Sequence, residues 1–144
     1  MNRILIRNWQ KKMPVNRRKL EKTARRVLEA EGVDGAELSI LVVDDAHMAV
    51  FNRQYRGKNR PTDVLAFRLQ DAAADGVHPE LLGDVVISAE TARRTAAEVR
   101  ATADEELALY LIHGILHLLG YDDTRSAPAR AMNRRQKELL AQYG

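Results

Sequence analysis

The 144-residue chain contains no cysteine. That excludes disulfides, thiolate nucleophiles and thiolate metal sites, so a bound metal has to be held by His, Asp or Glu. A reducing compartment suits such a chain. Aromatic residues make up only 5% of it, too few for extensive base stacking. Long apolar runs are missing as well. The N-terminal segment MNRILIRNWQKKMP holds three apolar residues before Arg7 interrupts them, which is not the h-region of a signal peptide. No run approaches the roughly 20 apolar residues of a membrane span. A soluble cytoplasmic protein without membrane contacts is expected. No repeat, low-complexity tract or linker divides the sequence, and its length suits one domain, 1–144, around one core.

The net charge of +3 hides an uneven distribution. Residues 1–60 carry 14 Lys and Arg against 7 Asp and Glu, residues 61–123 carry 4 against 12, and residues 124–144 carry 5 against 1. Two basic ends therefore flank an acidic middle. Ordinary solvated surface accounts for such a pattern as well as a polyanion-binding face does.

Residues 3–8 alternate as a short strand does, and 37–43 (ELSILVV) read as a buried strand from their aliphatic and β-branched run. Between them Asn16 caps a helix with Leu20, Ala24, Val27 and Leu28 on one face, Gly32 as its stop, and Arg17, Arg18, Lys22 and Arg25 outside. Asp44 or Asp45 caps a second helix carrying Met48, Phe51 and Tyr55 and closed by Gly57. A polar loop, 57–62, leads to a strand at 64–69, and a loop-like stretch, Asp71–Glu80, precedes a fourth strand at 84–88. Ser88 caps a helix to about Arg100. Thr102 and Glu105 form a capping box that opens an apolar helix through Leu119, with Gly120 at its end. A last amphipathic helix covers about 127–142. The expected fold is α+β with α/β-type layering, about four strands in a mixed sheet and about five helices. Periodicity leaves the strand order open.

The chemistry concentrates in His113-Gly114-Ile115-Leu116-His117-Leu118-Leu119-Gly120-Tyr121-Asp122-Asp123. Two histidines four apart on a helix project about 40° from each other, so both rings reach one ion from one face. This is the HxxxH core of helical zinc sites. Gly120 permits a reversal that returns the following side chains toward the histidines. Asp123 stands ten residues after His113, the offset of the third ligand in metzincin-type sites. Asp122 is a rival for that role. Buried, hydrogen-bonded histidines would be the bland alternative, and the joint presence of HxxxH, the glycine and the carboxylate favours a metal. His47 and His78 read as surface residues. Peptidases of the HExxH kind carry a glutamate as general base where this chain has Gly114, so peptide hydrolysis lacks its main catalytic group.

The same segment resembles the signature H-G-x-L-H-L-x-G-Y-D-H of the YbeY family of bacterial rRNA maturation factors, with ten of eleven positions compatible. Tyr55-Arg56-Gly57-Lys58 with Pro61-Thr62-Asp63-Val64-Leu65-Ala66-Phe67 resembles that family's YRGK and PTDVLSF blocks, and Leu82–Ser88 resembles its LGDIVIS strand. The resemblance implies a single-strand endoribonuclease of 16S rRNA 3′-end maturation and ribosome quality control, with zinc held by three histidines. The implied partners are single-stranded RNA, rRNA and the small ribosomal subunit, with a ribosomal protein or an assembly GTPase besides. This sequence departs at the third ligand, where Asp123 replaces His. His113, His117 and Asp123 are then the expected Zn2+ ligands. An anionic ligand should raise the pKa of bound water and admit harder divalent ions.

Arg56 and His113 are the candidate catalytic residues. A guanidinium matches phosphoryl oxygens and is always charged, and by resemblance Arg56 is the family's functional arginine. Lys58 and Arg60, with Arg56 and the basic first helix, are candidates for holding the RNA backbone through contacts that weaken with salt. Two other readings compete: a metal-dependent hydrolase of another bond, and a non-catalytic ribosome-assembly factor with a structural zinc.

Overall fold

A computed structural model describes residues 1–58, 60, 62–68, 81–122 and 124–142. Strand β1 (Arg3–Asn8) is followed by α1 (Arg17–Ala30), capped by Asn16, whose side chain accepts from the Lys19 amide at 3.1 Å. The face of α1 expected to be apolar, Leu20, Ala24, Val27 and Leu28, is buried. Strand β2 (Glu37–Val43) leads into α2 (Asp45–Arg56). Of the two candidate caps, Asp44 fills the role, and its carboxylate accepts from the His47 amide at 2.9 Å. Gly57, with φ +68°, closes α2 in the left-handed conformation that glycine adopts without a Cβ clash. His47 is exposed, as expected, whereas His78 and the stretch 71–80 lie outside the described residues.

Strand β3 (Val64–Arg68) pairs with β4 (Leu81–Ser88), which runs on into α3 (Ala89–Val99). Helix α4 (Ala103–Leu118) opens with the expected Thr102–Glu105 capping box, and α5 (Ser126–Leu140) follows. The sheet order is β1-β2-β4-β3, with the first three strands parallel and β3 antiparallel at the edge. The chain is thus the expected single-domain α+β protein, with a four-stranded mixed sheet and five helices among the described residues. None of those helices is long and apolar enough to cross a membrane.

Several boundaries differ from those expected: α4 ends at Leu118 rather than Leu119, and Leu69, expected to close the third strand, lies outside the described residues. The fourth strand starts at Leu81 rather than Asp84, with Gly83 inside it. Its φ is +149°, and a Cβ there would lie 2.1 Å from the Phe67 carbonyl oxygen, so only glycine lets β3 and β4 come this close. The last helix runs over 126–140 rather than 127–142, with Pro128 in its first turn, where no intrahelical N–H is required.

The sheet divides its burial by alternation. Val85 and Ile87 of β4 face a large core shared with α1, α4 and α5, while Val86 faces a smaller one with Val43, Met48 and Leu65 under α2. Helix α4 is enclosed along most of its length: Leu107, Leu111, Ile112, Ile115 and Leu116 are each at most 1% exposed. A helix held so firmly is a rigid carrier for the few side chains it turns outward.

Candidate active site

Those outward side chains include His113, half-buried, and His117, exposed, one turn apart on the C-terminal half of α4. Both line a cleft of about 380 Å³. Its other walls are Tyr55 and Arg56 at the end of α2, residues 64–67 of β3, and Thr124. The structure therefore gathers Arg56, His113 and His117 from two helices beside one edge strand.

Gly114 sets how closely α4 approaches the sheet. A Cβ at that position would stand 2.6 Å from Val85 Cγ1 and 3.2 Å from Val64 Cγ2, inside the normal carbon–carbon separation. The glycine that removes the peptidase base thus also seats the histidine helix against β3 and β4.

The end of α4 is held by several long-range contacts. Arg68, at the end of β3, donates to the His117 carbonyl oxygen at 3.0 Å, which also accepts from the Gly120 amide at 3.1 Å. Gly120 follows with a φ of +102°, the left-handed backbone that glycine adopts without a Cβ clash. The Tyr121 hydroxyl then donates to Glu31 at 2.6 Å, and Arg135 contacts the other oxygen of Glu31 at 3.4 Å. The hydrogen bond to the Glu31 carboxylate, reinforced by burial, pushes the Tyr121 phenol above its ordinary value.

Asp122, the rival third ligand, is engaged locally. Its Oδ1 accepts from the Thr124 amide at 2.8 Å and hydroxyl at 2.6 Å, and its Oδ2 from Arg125 Nε at 3.3 Å. The Thr124 hydrogen bonds, with Arg125 assisting, hold the carboxyl below the usual range. Asp123 lies outside the described residues, and among the described residues no three His, Asp or Glu side chains cluster as a metal site. The donors that are described suit a small divalent ion: two imidazoles at one helical turn on a cleft wall, and no sulfur. His113 also has a hydrogen bond between its Nδ1 and Gln136 Oε1 of α5.

Lys58 and Arg60 are exposed and stand outside the lining of the cleft. Their loop is anchored by buried Asn52, whose Nδ2 donates to the Arg60 carbonyl oxygen at 2.8 Å. The basic residues Arg17, Arg18 and Lys22 of α1 are exposed, as expected, whereas Arg25, expected beside them, is half-buried and donates to the Asn2 carbonyl oxygen at 2.8 Å. Arg17 and Arg18, with Arg93, border a second, more open hollow of about 760 Å³ between the starts of α1 and α4, which contains no histidine.

Three participants were missed by the sequence reading: Arg68, Gln136 and the ring pair Tyr55–Phe67. Tyr55 is 62% exposed, and its ring lies 4.6 Å from that of Phe67, centroid to centroid. Tyr55 fits the helical period of α2, and it also stands in the Tyr55-Arg56-Gly57-Lys58 block. Nothing local in the sequence marked it as cleft wall.

A mixed-sheet α+β domain that sets a two-histidine helix opposite an arginine defines the class of protein. The chain belongs to the family described as Endoribonuclease YbeY, whose profile matches residues 5–144. It is 45% identical over 143 residues to Endoribonuclease YbeY of Syntrophotalea carbinolica, covering 98% of this chain and 95% of that protein. With Endoribonuclease YbeY of Geobacter sulfurreducens it shares 40% identity over 141 residues, covering 96% and 94%. The fold is similar to the solution structure of TM1509 from Thermotoga maritima, with a TM-score of 0.65 and 27% identity over 97% of this chain and 87% of that one.

Proposed function

We propose that this protein is a metal-dependent, single-strand endoribonuclease acting in 16S rRNA 3′-end maturation and ribosome quality control in the cytoplasm, with the small ribosomal subunit as its partner. Family membership makes the chain an RNA-cleaving hydrolase. The observation that supports the finer reading is the meeting of His113, His117 and Arg56 in one cleft.

His113, His117 and Asp123 would hold the ion, Zn2+ in the first instance, with another divalent ion admitted by the carboxylate. When bound, a divalent ion supplies Lewis acidity toward a phosphodiester. The chain's own groups do the rest. The Arg56 guanidinium lines the same cleft and would pair with phosphoryl oxygens as their charge grows. The exposed Tyr55 ring, braced by Phe67, offers a face for one nucleobase beside that phosphate. Lys58, Arg60 and the basic face of α1 contact the backbone further out, so binding should weaken steeply with salt. Gly114 provides no general base, which sets the site apart from HExxH peptidases.

The test is cleavage of a structureless RNA oligonucleotide by the purified protein and by His117→Ala prepared identically, with metal content measured in both. The parent should cleave and contain one ion per chain, and the variant should lose both properties. Equal cleavage by the two proteins, or none by either, refutes the proposal. Retained metal without cleavage would leave an assembly factor with a structural ion.

A further inference from the structure

We infer that Gln136 is a positioning residue that presets His113 for a divalent cation, an inference that rests on the metal site proposed above. The two residues are 23 apart in sequence and on different helices, and α5 brings the Gln136 amide oxygen onto His113 Nδ1. A carbonyl oxygen only accepts, so Nδ1 is the protonated nitrogen of the ring and Nε2 carries the lone pair. That is the tautomer in which Nε2 serves as a ligand, and the bond also fixes the plane of the ring.

The amide is delivered from a well-held position. Met132 and Leu139 of α5 are buried, at 0% and 5% exposure, and Gln136 lies between them at i+4 and i−3, on the same helical stripe. One residue earlier, Arg135 ties α5 to the end of α1 through Glu31 and the Ala30 carbonyl oxygen. The stripe seats α5 against the core, so the Gln136 side chain reaches His113 with little freedom left to lose. The two histidines consequently differ. His113 is half-buried and oriented from behind, whereas His117 is exposed. His113 is the prearranged ligand, and Gln136 is the reason.

The test uses the full chain with Gln136→Leu, which removes the acceptor at similar size, and Gln136→Glu, which keeps it. Zn2+ affinity is measured by competition with a chromophoric chelator. The His113 tautomer is read from imidazole 15N shifts in metal-free protein. Gln136→Leu should bind Zn2+ about 10- to 100-fold more weakly and show a mixed His113 tautomer. Gln136→Glu should restore both towards the parent. Parent-like affinity and an unchanged tautomer in folded Gln136→Leu overturn the inference, as does a drop in thermal stability with affinity unmoved. If the parent itself binds no Zn2+, the metal site fails, and the tautomer in metal-free protein still decides whether Gln136 orients the ring.

Discussion

Replacing Gly114 by alanine separates two opposed effects. On helix propensity alone, alanine stabilises the interior of α4 by about 1 kcal/mol over glycine. Packing acts the other way. The new Cβ would sit 2.6 Å from Val85 Cγ1 and 3.2 Å from both Val85 Cγ2 and Val64 Cγ2. Val85 is fully buried, and as a β-branched residue it turns about χ1 only at a cost. Either α4 backs away from the sheet or Val85 leaves its rotamer. Overpacking of this kind costs about 1–3 kcal/mol, and three methyls crowded by one new atom place this case in the upper part of that range. The net loss is then about 1–2 kcal/mol, or a fall in Tm of about 2–8 °C for a chain of this size. Urea denaturation and thermal melting followed by circular dichroism would measure it. Val85→Ala alone should lose about 2 kcal/mol through missing methyls and a cavity. In the double variant the alanine methyl enters that cavity, so the pair should cost at least about 1 kcal/mol less than the sum. A single Gly114→Ala variant more stable than the parent, or strict additivity in the pair, would refute the packing argument.

Arg56→Ala should keep its fold, because the side chain is exposed, and lose about 10²–10³-fold in single-turnover RNA cleavage; an unchanged rate removes Arg56 from the mechanism. Acid stability should depend on Asp45, which joins α2 to the β4–α3 junction by accepting from Ser88, Thr91 and Arg94 at 2.7, 2.7 and 2.6 Å. Burial pushes its carboxyl up, but the Thr91, Arg94 and Ser88 hydrogen bonds outweigh that and hold it below its ordinary value. A pKa lower in the folded than in the unfolded chain gives stability that is present above about pH 4 and lost as pH falls through the folded value. Asp45→Asn should therefore melt lower than the parent at pH 7 and lose less on acidification; an acid slope identical to the parent's would contradict this. Tyr121→Phe should destabilise by about 1–2 kcal/mol in urea, since it deletes a hydrogen bond to a charged Glu31 that retains Arg135. A change within experimental error would show that the Tyr121–Glu31 bond contributes nothing net.

What the sequence disclosed about the fold was mostly local in origin. Helix starts were legible because their signals, Asn16 to Lys19 or Thr102 with Glu105, act across three residues. Buried faces were legible because the spacing of Leu20, Ala24, Val27 and Leu28 is itself the helical period. The beginning of β4 was not legible from periodicity, because a glycine has no side chain to alternate, and only Phe67 of the neighbouring strand explains why no Cβ fits at Gly83. Strand order was not legible either. Alternation says which side chains share a face, and nothing about whether β4 rather than β3 lies next to β2.

The same distinction runs through the candidate site. His113 and His117 stand out in the sequence because one helical turn brings them together, and a spacing of four needs no tertiary structure to be meaningful. The groups that orient them come from far along the chain: Gln136 reaches His113 across 23 residues, and Arg68 reaches the His117 carbonyl across 49. Tyr121 and Glu31, which hold the turn after α4, are 90 apart. Each is an ordinary polar residue on an amphipathic element, and its role exists only once α5, β3 and α1 have packed around α4. Pairs of donors can thus be read from a pattern, whereas their precision depends on the core. Substitutions that loosen the seating of α5, such as Met132→Ala, should therefore weaken metal binding although they touch no ligand.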